Sequence, residues 1–252
     1  MSVEKMRVIV IGLGEVGTGL YELVKQFHET ETLDVEPKQI NGPFDVMHIC
    51  FRFNGKFIDN VLSYVHQFEP RLVIIESTTS PGTTDKIAEK LPETLVCHSP
   101  VRGRHKNTIL LGLKTYTKYV GPCSKEAAEF AEKYYQEMGL KVYIANSPLE
   151  TEFAKLMNLS YYGTCISIFQ EFDRIIDKYR LKRDDVMNFI GSTQTESKGT
   201  VPRPLYYGGY IGGHCVIPAL KMLQNFCEFQ IFKEVIESNE SRLKEVGEKW
   251  QP

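Results

Sequence analysis

The chain holds 252 residues, 42% hydrophobic and 25% charged, which suits one large or two modest domains with a real core and excludes disordered, collagen-like and coiled-coil classes. Thirty Lys+Arg against thirty-two Asp+Glu leave a formal charge of −2, a balance that argues against a dedicated nucleic-acid binder. No apolar run approaches the ~18–20 residues that a bilayer span needs, and the N-terminal MSVEKMRVIVIGLGEVG lacks the cleavage pattern of a signal peptide.

From Met6 the chain reads RVIVIGLGEVGTGLYELVKQF. The β-branched run Val8 to Ile11 predicts a buried parallel strand. Gly12, Gly14 and Gly17 form GxGxxG at its end, and Leu20, Leu23, Val24 and Phe27 then recur at helical spacing. A second strand, Thr32 to Val35, carries Asp34 and Glu36 ahead of Pro37. Strand, glycines, helix and an acid about 20 residues past the glycines form one dinucleotide-binding unit. The glycines let the chain turn and approach the pyrophosphate, which sits on a helix N-terminus whose first residues are Glu15 and Val16. An acid at position 34, where it can bind ribose hydroxyls, favours NAD over NADP.

Further strands are predicted at Asp45–Phe51, Leu72–Glu76 and Thr94–His98, with helices at Phe57–Phe68 and Thr83–Leu91 between them. This alternation predicts a mostly parallel sheet with helices on both faces. Arg102, Arg104, His105 and Lys106 form a basic cluster near a strand end, suited to a phosphate or carboxylate. A last βαβ unit spans Tyr116 to Ile144, with Ser124 as helix cap and Gly139 as helix stop.

Ser147 with Glu150 three residues on forms a capping box, and Pro148 takes the first helical position. The helix that follows is apolar round most of its circumference from Leu149 to Ile176, which predicts burial against other helices and a second subunit, hence a homodimer. The expected organisation is a dinucleotide-binding α/β domain over residues 1–146 and an all-helical domain over 147–252. Further helices are predicted over 181–195 and 219–247, and the glycine-rich RPLYYGGYIGGHCVIP between them looks built for a site. Six dispersed cysteines, without CxxC pairs or His-rich metal spacing, read as free thiols in a reducing cytoplasm, with no metal site.

Together these segments resemble the nucleotide-sugar 6-dehydrogenase family, the UDP-glucose, GDP-mannose and UDP-N-acetylmannosamine dehydrogenases. The glycine loop IGLGEVG and the strand end Asp34-Val-Glu-Pro37 match its cofactor half. The segment Glu76 to Thr84 (ESTTSPGTT) matches its Ser-Thr…Pro-Gly-Thr motif, and Ser99-Pro-Val-Arg102 partly matches its Ser-Pro-Glu-Arg motif. Glu152-Phe-Ala-Lys155 matches the Glu-x-x-Lys that opens the central helix. Gly212-Gly-His-Cys-Val-Ile-Pro218 matches the motif around the nucleophile, the most specific of the set. The order holds from residue 6 to about 225.

The resemblance implies a Rossmann-type fold and an NAD-dependent dehydrogenase acting on the alcohol of a sugar, a nucleotide-sugar or a similar small substrate. It implies Cys215 as nucleophile, trapping an aldehyde as a thiohemiacetal that is oxidised to a thioester. Lys155 would stabilise an alkoxide or oxyanion, unless it merely pairs with Glu152 on the helix surface. Thr78 would position water or substrate, and Gly212, Gly213 and His214 would shape the substrate loop.

Four departures mark the chain. Ala219 stands where the family has an aspartate, Val101 replaces the Ser-Pro-Glu glutamate, and Leu159 replaces an asparagine, with Asn158 one position early. The family's C-terminal nucleotide-binding domain would begin near where this sequence stops, and the stretch after Pro37 is shorter by a strand and a helix. Oxidation that ends early is one expectation from these changes. The alternatives are a catalytically silent NAD- or ligand-binding relative, or one piece of a split enzyme.

Overall fold

The computed structural model describes residues 5–36, 38–103 and 109–247. Seven strands form one sheet: β1 (Arg7–Ile11), β2 (Glu29–Leu33), β3 (Val46–Ile49), β4 (Leu72–Ile75), β5 (Leu95–His98), β6 (Lys118–Pro122) and β7 (Val142–Ile144). Between them lie α1 (Glu15–Val24), α2 (Phe57–Phe68), α3 (Thr83–Ala88), α4 (Ile109–Thr115) and α5 (Lys125–Glu137). The helices α6 (Pro148–Tyr179), α7 (Arg183–Glu196), α8 (Val216–Phe226) and α9 (Gln230–Val246) follow. The chain divides into two compact units, Met1–Lys155 and Leu156–Pro252, and the division falls inside α6. No helix among the described residues is long and apolar enough to cross a membrane.

The sheet order is β2-β1-β3-β4-β5-β6-β7. Strands β1 to β5 run parallel, β6 is antiparallel to β5, and β7 is parallel to β6. The chain leaves β1 to one side for β2 and crosses to the other for β3, which creates the switch point where open α/β sheets bind ligands. Among the described residues no strand or helix stands between β2 and β3, where a full dinucleotide-binding sheet has one of each, in line with the short stretch after Pro37 in the sequence.

Buried strand residues alternate between two cores. Val8, Val46, Leu72 and Ile74 pack with Leu20 and Leu23 of α1 and Ala127, Ala131 and Tyr135 of α5. Ile9, Ile11, Met47, Ile49 and Val73 pack with Phe57, Val61, Val65 and Phe68 of α2. Both faces are covered, which explains strands apolar at every position rather than at every second one. The predicted caps form: Ser124 Oγ accepts the Ala127 N–H at 3.1 Å, Ser147 Oγ accepts the Leu149 N–H at 3.2 Å, and Gly139 turns with φ +75°.

Three sequence expectations need correction. The second strand runs Glu29–Leu33 rather than Thr32–Val35, because its ladder with β1 pairs Arg7 with Glu29 and closes at Ile11 with Leu33. Its polar residues on both sides hid that register. Helix α4 is an element the sequence expectations left out; its Gly112 is required because a Cβ would stand 2.5 Å from the Arg102 carbonyl oxygen. The single helix over 219–247 is two, α8 and α9, parted at Cys227–Phe229. The first of them starts at Val216, with Pro218 in a first turn that needs no N–H from it.

Candidate functional site

The three loop glycines are there for different reasons. Gly12, with φ +92°, leaves no space for a Cβ, which would lie 2.8 Å from the Phe51 nitrogen. Its N–H donates to the Leu33 carbonyl at 2.8 Å, tying the loop to the end of β2. At Gly17 a Cβ would lie 1.8 Å from the Gly12 oxygen, so only glycine lets α1 approach the strand. Gly14 differs: a Cβ there meets nothing within 4 Å, and the residue caps α1 without a side-chain cap bond. One glycine for the turn, one open towards a ligand and one for helix packing is the division of roles a pyrophosphate loop requires. Glu15 is exposed and Val16 half-buried in the first turn of α1, and Asp34 is exposed just past the end of β2.

The carboxyl ends of β4 and β5 are tied to the start of α6. Glu152, fully buried, accepts from the Thr84 N–H at 2.9 Å, the Thr84 hydroxyl at 2.7 Å, the Gly82 N–H at 2.6 Å and the Thr79 hydroxyl at 3.2 Å. Burial still raises its carboxyl above the ordinary range. Its carboxyl oxygens thus hold the Thr79–Thr84 loop. Lys155, one turn on, donates to the Val101 carbonyl at 2.7 Å. His98 at the end of β5 shares a 2.8 Å hydrogen bond with the Thr151 hydroxyl and a 3.1 Å one with the Ser77 carbonyl. Burial lowers the His98 imidazole to about 3, so it is neutral and donates from Nε2. Thr78, half-buried, lies in the loop that these contacts hold.

Beneath this edge sits a closed polar cluster that sequence reasoning missed. Glu76, just past β4, receives Lys118 of β6, the Tyr135 hydroxyl at 2.8 Å and His48 Nδ1 at 3.0 Å. Lys118 also donates to the Ser99 carbonyl at 2.6 Å, and the Tyr134 hydroxyl meets His48 Nε2 at 2.8 Å. Burial alone would raise the Glu76 carboxyl, but the Lys118 charge and the His48 hydrogen bond outweigh it and hold it at about 2. Burial keeps His48 neutral. The only signals in the sequence are a His and a Lys within strands, which single-strand periodicity treats as exposed positions.

Arg102 is half-buried. Its guanidinium lies 5.3 Å from the Tyr116 ring and 4.9 Å from the Tyr119 ring, and donates to the Thr117 carbonyl at 2.7 Å. Arg104, with His105 and Lys106, lies outside the described residues.

In the second unit, Cys215 is half-buried and caps the N-terminus of α8. Gly212, Gly213 and His214 before it are exposed, and Gly213 has φ +81° with open space on its Cβ side. Ala219, one turn into α8, is fully buried and donates its N–H to the Cys215 carbonyl at 3.0 Å. Asn158 is exposed on α6. Among the other thiols, burial pushes Cys50 and Cys97 up, and burial with neighbouring Asp85 pushes Cys123 to about 12. These three are poor nucleophiles. The loop before Cys215 is held by Asn239 of α9 and Gln170 of α6, two residues that no motif singles out.

No family model matches the chain. It is 29% identical over 166 residues to a UDP-N-acetyl-D-mannosamine dehydrogenase of Methanocaldococcus jannaschii, a match covering 64% of this chain and 36% of that protein. The match thus spans about a third of the relative's length. In fold it is similar to a UDP-D-ManNAc dehydrogenase from Pyrococcus horikoshii, with TM-score 0.80 and 21% identity over 95% of this chain and 69% of that one. It is also similar in fold to 3-hydroxyisobutyrate dehydrogenase of Mycobacterium tuberculosis, with TM-score 0.71 and 14% identity over 97% and 95% of the two chains. In sequence over 166 residues, and in fold over 95% of its length, the chain is similar to proteins named as UDP-N-acetyl-D-mannosamine dehydrogenases.

Proposed function

We propose that the protein is an NAD-dependent dehydrogenase that oxidises the alcohol of a nucleotide-sugar or a similar small hydroxylated substrate. The observation that carries this reading is the glycine loop: Gly12 and Gly17 are closed to any side chain, while Gly14 alone is open. Gly12 to Gly17 would hold the pyrophosphate on the N-terminus of α1, and the exposed Asp34 carboxylate would bind the adenosine ribose. The same carboxylate would repel a 2′-phosphate. NAD, when bound, supplies the hydride acceptor.

The remaining roles fall to this chain's own side chains. Lys155, oriented by the Val101 carbonyl, places a positive charge where an alkoxide develops. Thr78 orients substrate or water from the loop that Glu152 fixes, and Asn158 offers an amide to the substrate. Arg102 and Arg104 meet the substrate's negative charge, and the open Gly212-Gly213-His214 segment admits the substrate to Cys215. The Cys215 thiolate would add to the carbonyl carbon of the aldehyde, the resulting alkoxide taking a proton, and transfer of a second hydride to a second NAD molecule would leave a thioester for water to cleave. Val101 in place of the family's glutamate slows that last step. The active form is a cytoplasmic homodimer joined through α6.

The test is NADH formation with a panel of UDP- and GDP-sugars, following the amount released per enzyme before steady state. A fast burst and a slow steady rate, with an acylated Cys215 found by mass spectrometry, is the expected result. Absence of NADH with every sugar nucleotide, together with failure to bind NAD, would overturn the reading.

A further inference from the structure

Cys215 is fixed from both sides. After it, α8 crosses α6 where residue 163 is glycine: a Cβ there would lie 2.8 Å from the Val216 side chain and 3.1 Å from that of Leu220. Before it, the chain from Tyr207 to His214 has no regular structure, and within it the Gly212 N–H donates to the Tyr210 carbonyl at 3.1 Å. Two buried amide side chains take the place of a ladder. Asn239 Oδ1 accepts the Ile211 N–H at 2.7 Å, and Asn239 Nδ2 donates to the Ile211 carbonyl at 3.2 Å. One side chain thus satisfies both backbone groups of one residue, as a neighbouring strand would. Gln170 Nε2 donates to the Gly209 carbonyl at 2.7 Å and to Asn239 Oδ1 at 3.1 Å, which couples the two anchors.

Gln170 is fully buried and Asn239 nearly so. Ser238 donates to Gln170 Oε1 at 3.0 Å, and Arg242 donates to the Gln170 carbonyl at 2.9 Å. The amides therefore have fixed orientations and no water to compete with them. Gly208 adds a close approach, since a Cβ there would lie 2.5 Å from the Phe169 carbonyl oxygen. The exposed Gly212-Gly213-His214 stretch is short and glycine-rich, and it depends on these anchors for its direction.

We propose that Asn239, with Gln170 behind it, is a positioning residue for Cys215: by holding Ile211 it sets the approach of the chain to α8 and keeps the thiol at that helix's N-terminus. This rests on the reading of Cys215 as the nucleophile. A helix N-terminus favours the thiolate, so the loop's anchor acts on thiol chemistry from a residue that never touches the substrate.

The experiment is the pH dependence of iodoacetamide labelling at Cys215 in the whole chain, read by mass spectrometry with Cys165 as internal reference. In Asn239→Ala the labelling midpoint rises by about one pH unit, towards the ~8.5 of a free thiol, and labelling at neutral pH slows by as much as about tenfold. Gln170→Ala moves it in the same direction, and the double variant moves it by less than the sum. Met187→Ala, which loosens the Phe169–Ile176 core of the second unit without removing either amide anchor, leaves the profile unchanged. An unchanged midpoint in Asn239→Ala, or an equal rise in Met187→Ala, would overturn the inference while leaving Cys215 reactive. A wild-type Cys215 that labels no faster than Cys165 would instead remove the nucleophile reading, and the positioning role with it.

Discussion

Adding one methyl group separates the roles of the three loop glycines. Gly14→Ala meets open space, so the melting temperature stays within a degree or two of wild type while NAD affinity falls by about tenfold or more, since the methyl occupies the pyrophosphate's side. Gly17→Ala drives a Cβ into the Gly12 oxygen and costs about 1–3 kcal/mol of stability. Thermal melts beside calorimetric titration check both; a Gly14→Ala protein that binds NAD as wild type does would remove the loop from the site. Glu152 gives a second residue-scale expectation. Glu152→Gln turns an amide NH2 towards either the Gly82 or the Thr84 N–H, which now donate one to each carboxylate oxygen, leaving at least one buried donor unpaired at about 1–3 kcal/mol. Urea titration should show that loss, and an unaltered midpoint would mean the Thr79–Thr84 loop does not depend on it.

Strands β3, β4 and β6 and helix α5 meet at Glu76, and their cluster sets an acid limit on the fold. The Glu76 carboxyl at about 2 lies below its ordinary 4.5, so its stabilising contribution is complete above about pH 5 and is lost progressively as pH falls towards 2. Glu76→Gln should flatten that acid slope and, by leaving Lys118 charged and buried without its partner, cost about 3–5 kcal/mol at neutral pH. Denaturant titrations at stepped pH read both effects; an acid slope that the variant retains would place the titrating group elsewhere. Helix α6 carries a different message. Met157, Tyr161, Ile168, Ile175 and Tyr179 are 46–65% exposed along it, at steps of four and seven residues, which is one helix face. In the proposed homodimer a second copy would cover that face. Light scattering should give twice 28.9 kDa for the wild type and a monomer for Ile168→Asp with Ile175→Asp; a wild-type monomer would rule out the dimer.

Across the whole molecule, what could be read from the sequence was what local periodicity and glycine spacing encode. Val8 to Ile11, the 57–68 helix, the Ser124 and Ser147 caps and the parallel order of the first five strands all follow from short-range patterns. The reversed β6, the split between α8 and α9 and the true extent of β2 follow from long-range pairing, which no window of neighbouring residues carries. The site divides in the same way. Gly12, Gly14, Gly17, Asp34, Lys155 and Cys215 stand in recognisable motifs. Lys118, Gln170 and Asn239 do not, because they act on a charge or backbone groups 42, 39 and 28 residues away along the chain, and a buried polar side chain in a strand or helix looks like a surface one until the fold closes over it. The claim on which the functional account depends is that the Gly12–Gly17 loop and Asp34 bind NAD. Calorimetric titration of NAD and NADP against the wild type and Asp34→Ala tests it most directly. The account predicts that NAD binds the wild type at least about tenfold tighter than NADP, and that Asp34→Ala removes most of the difference; no binding of either cofactor, or tighter binding of NADP, would contradict it.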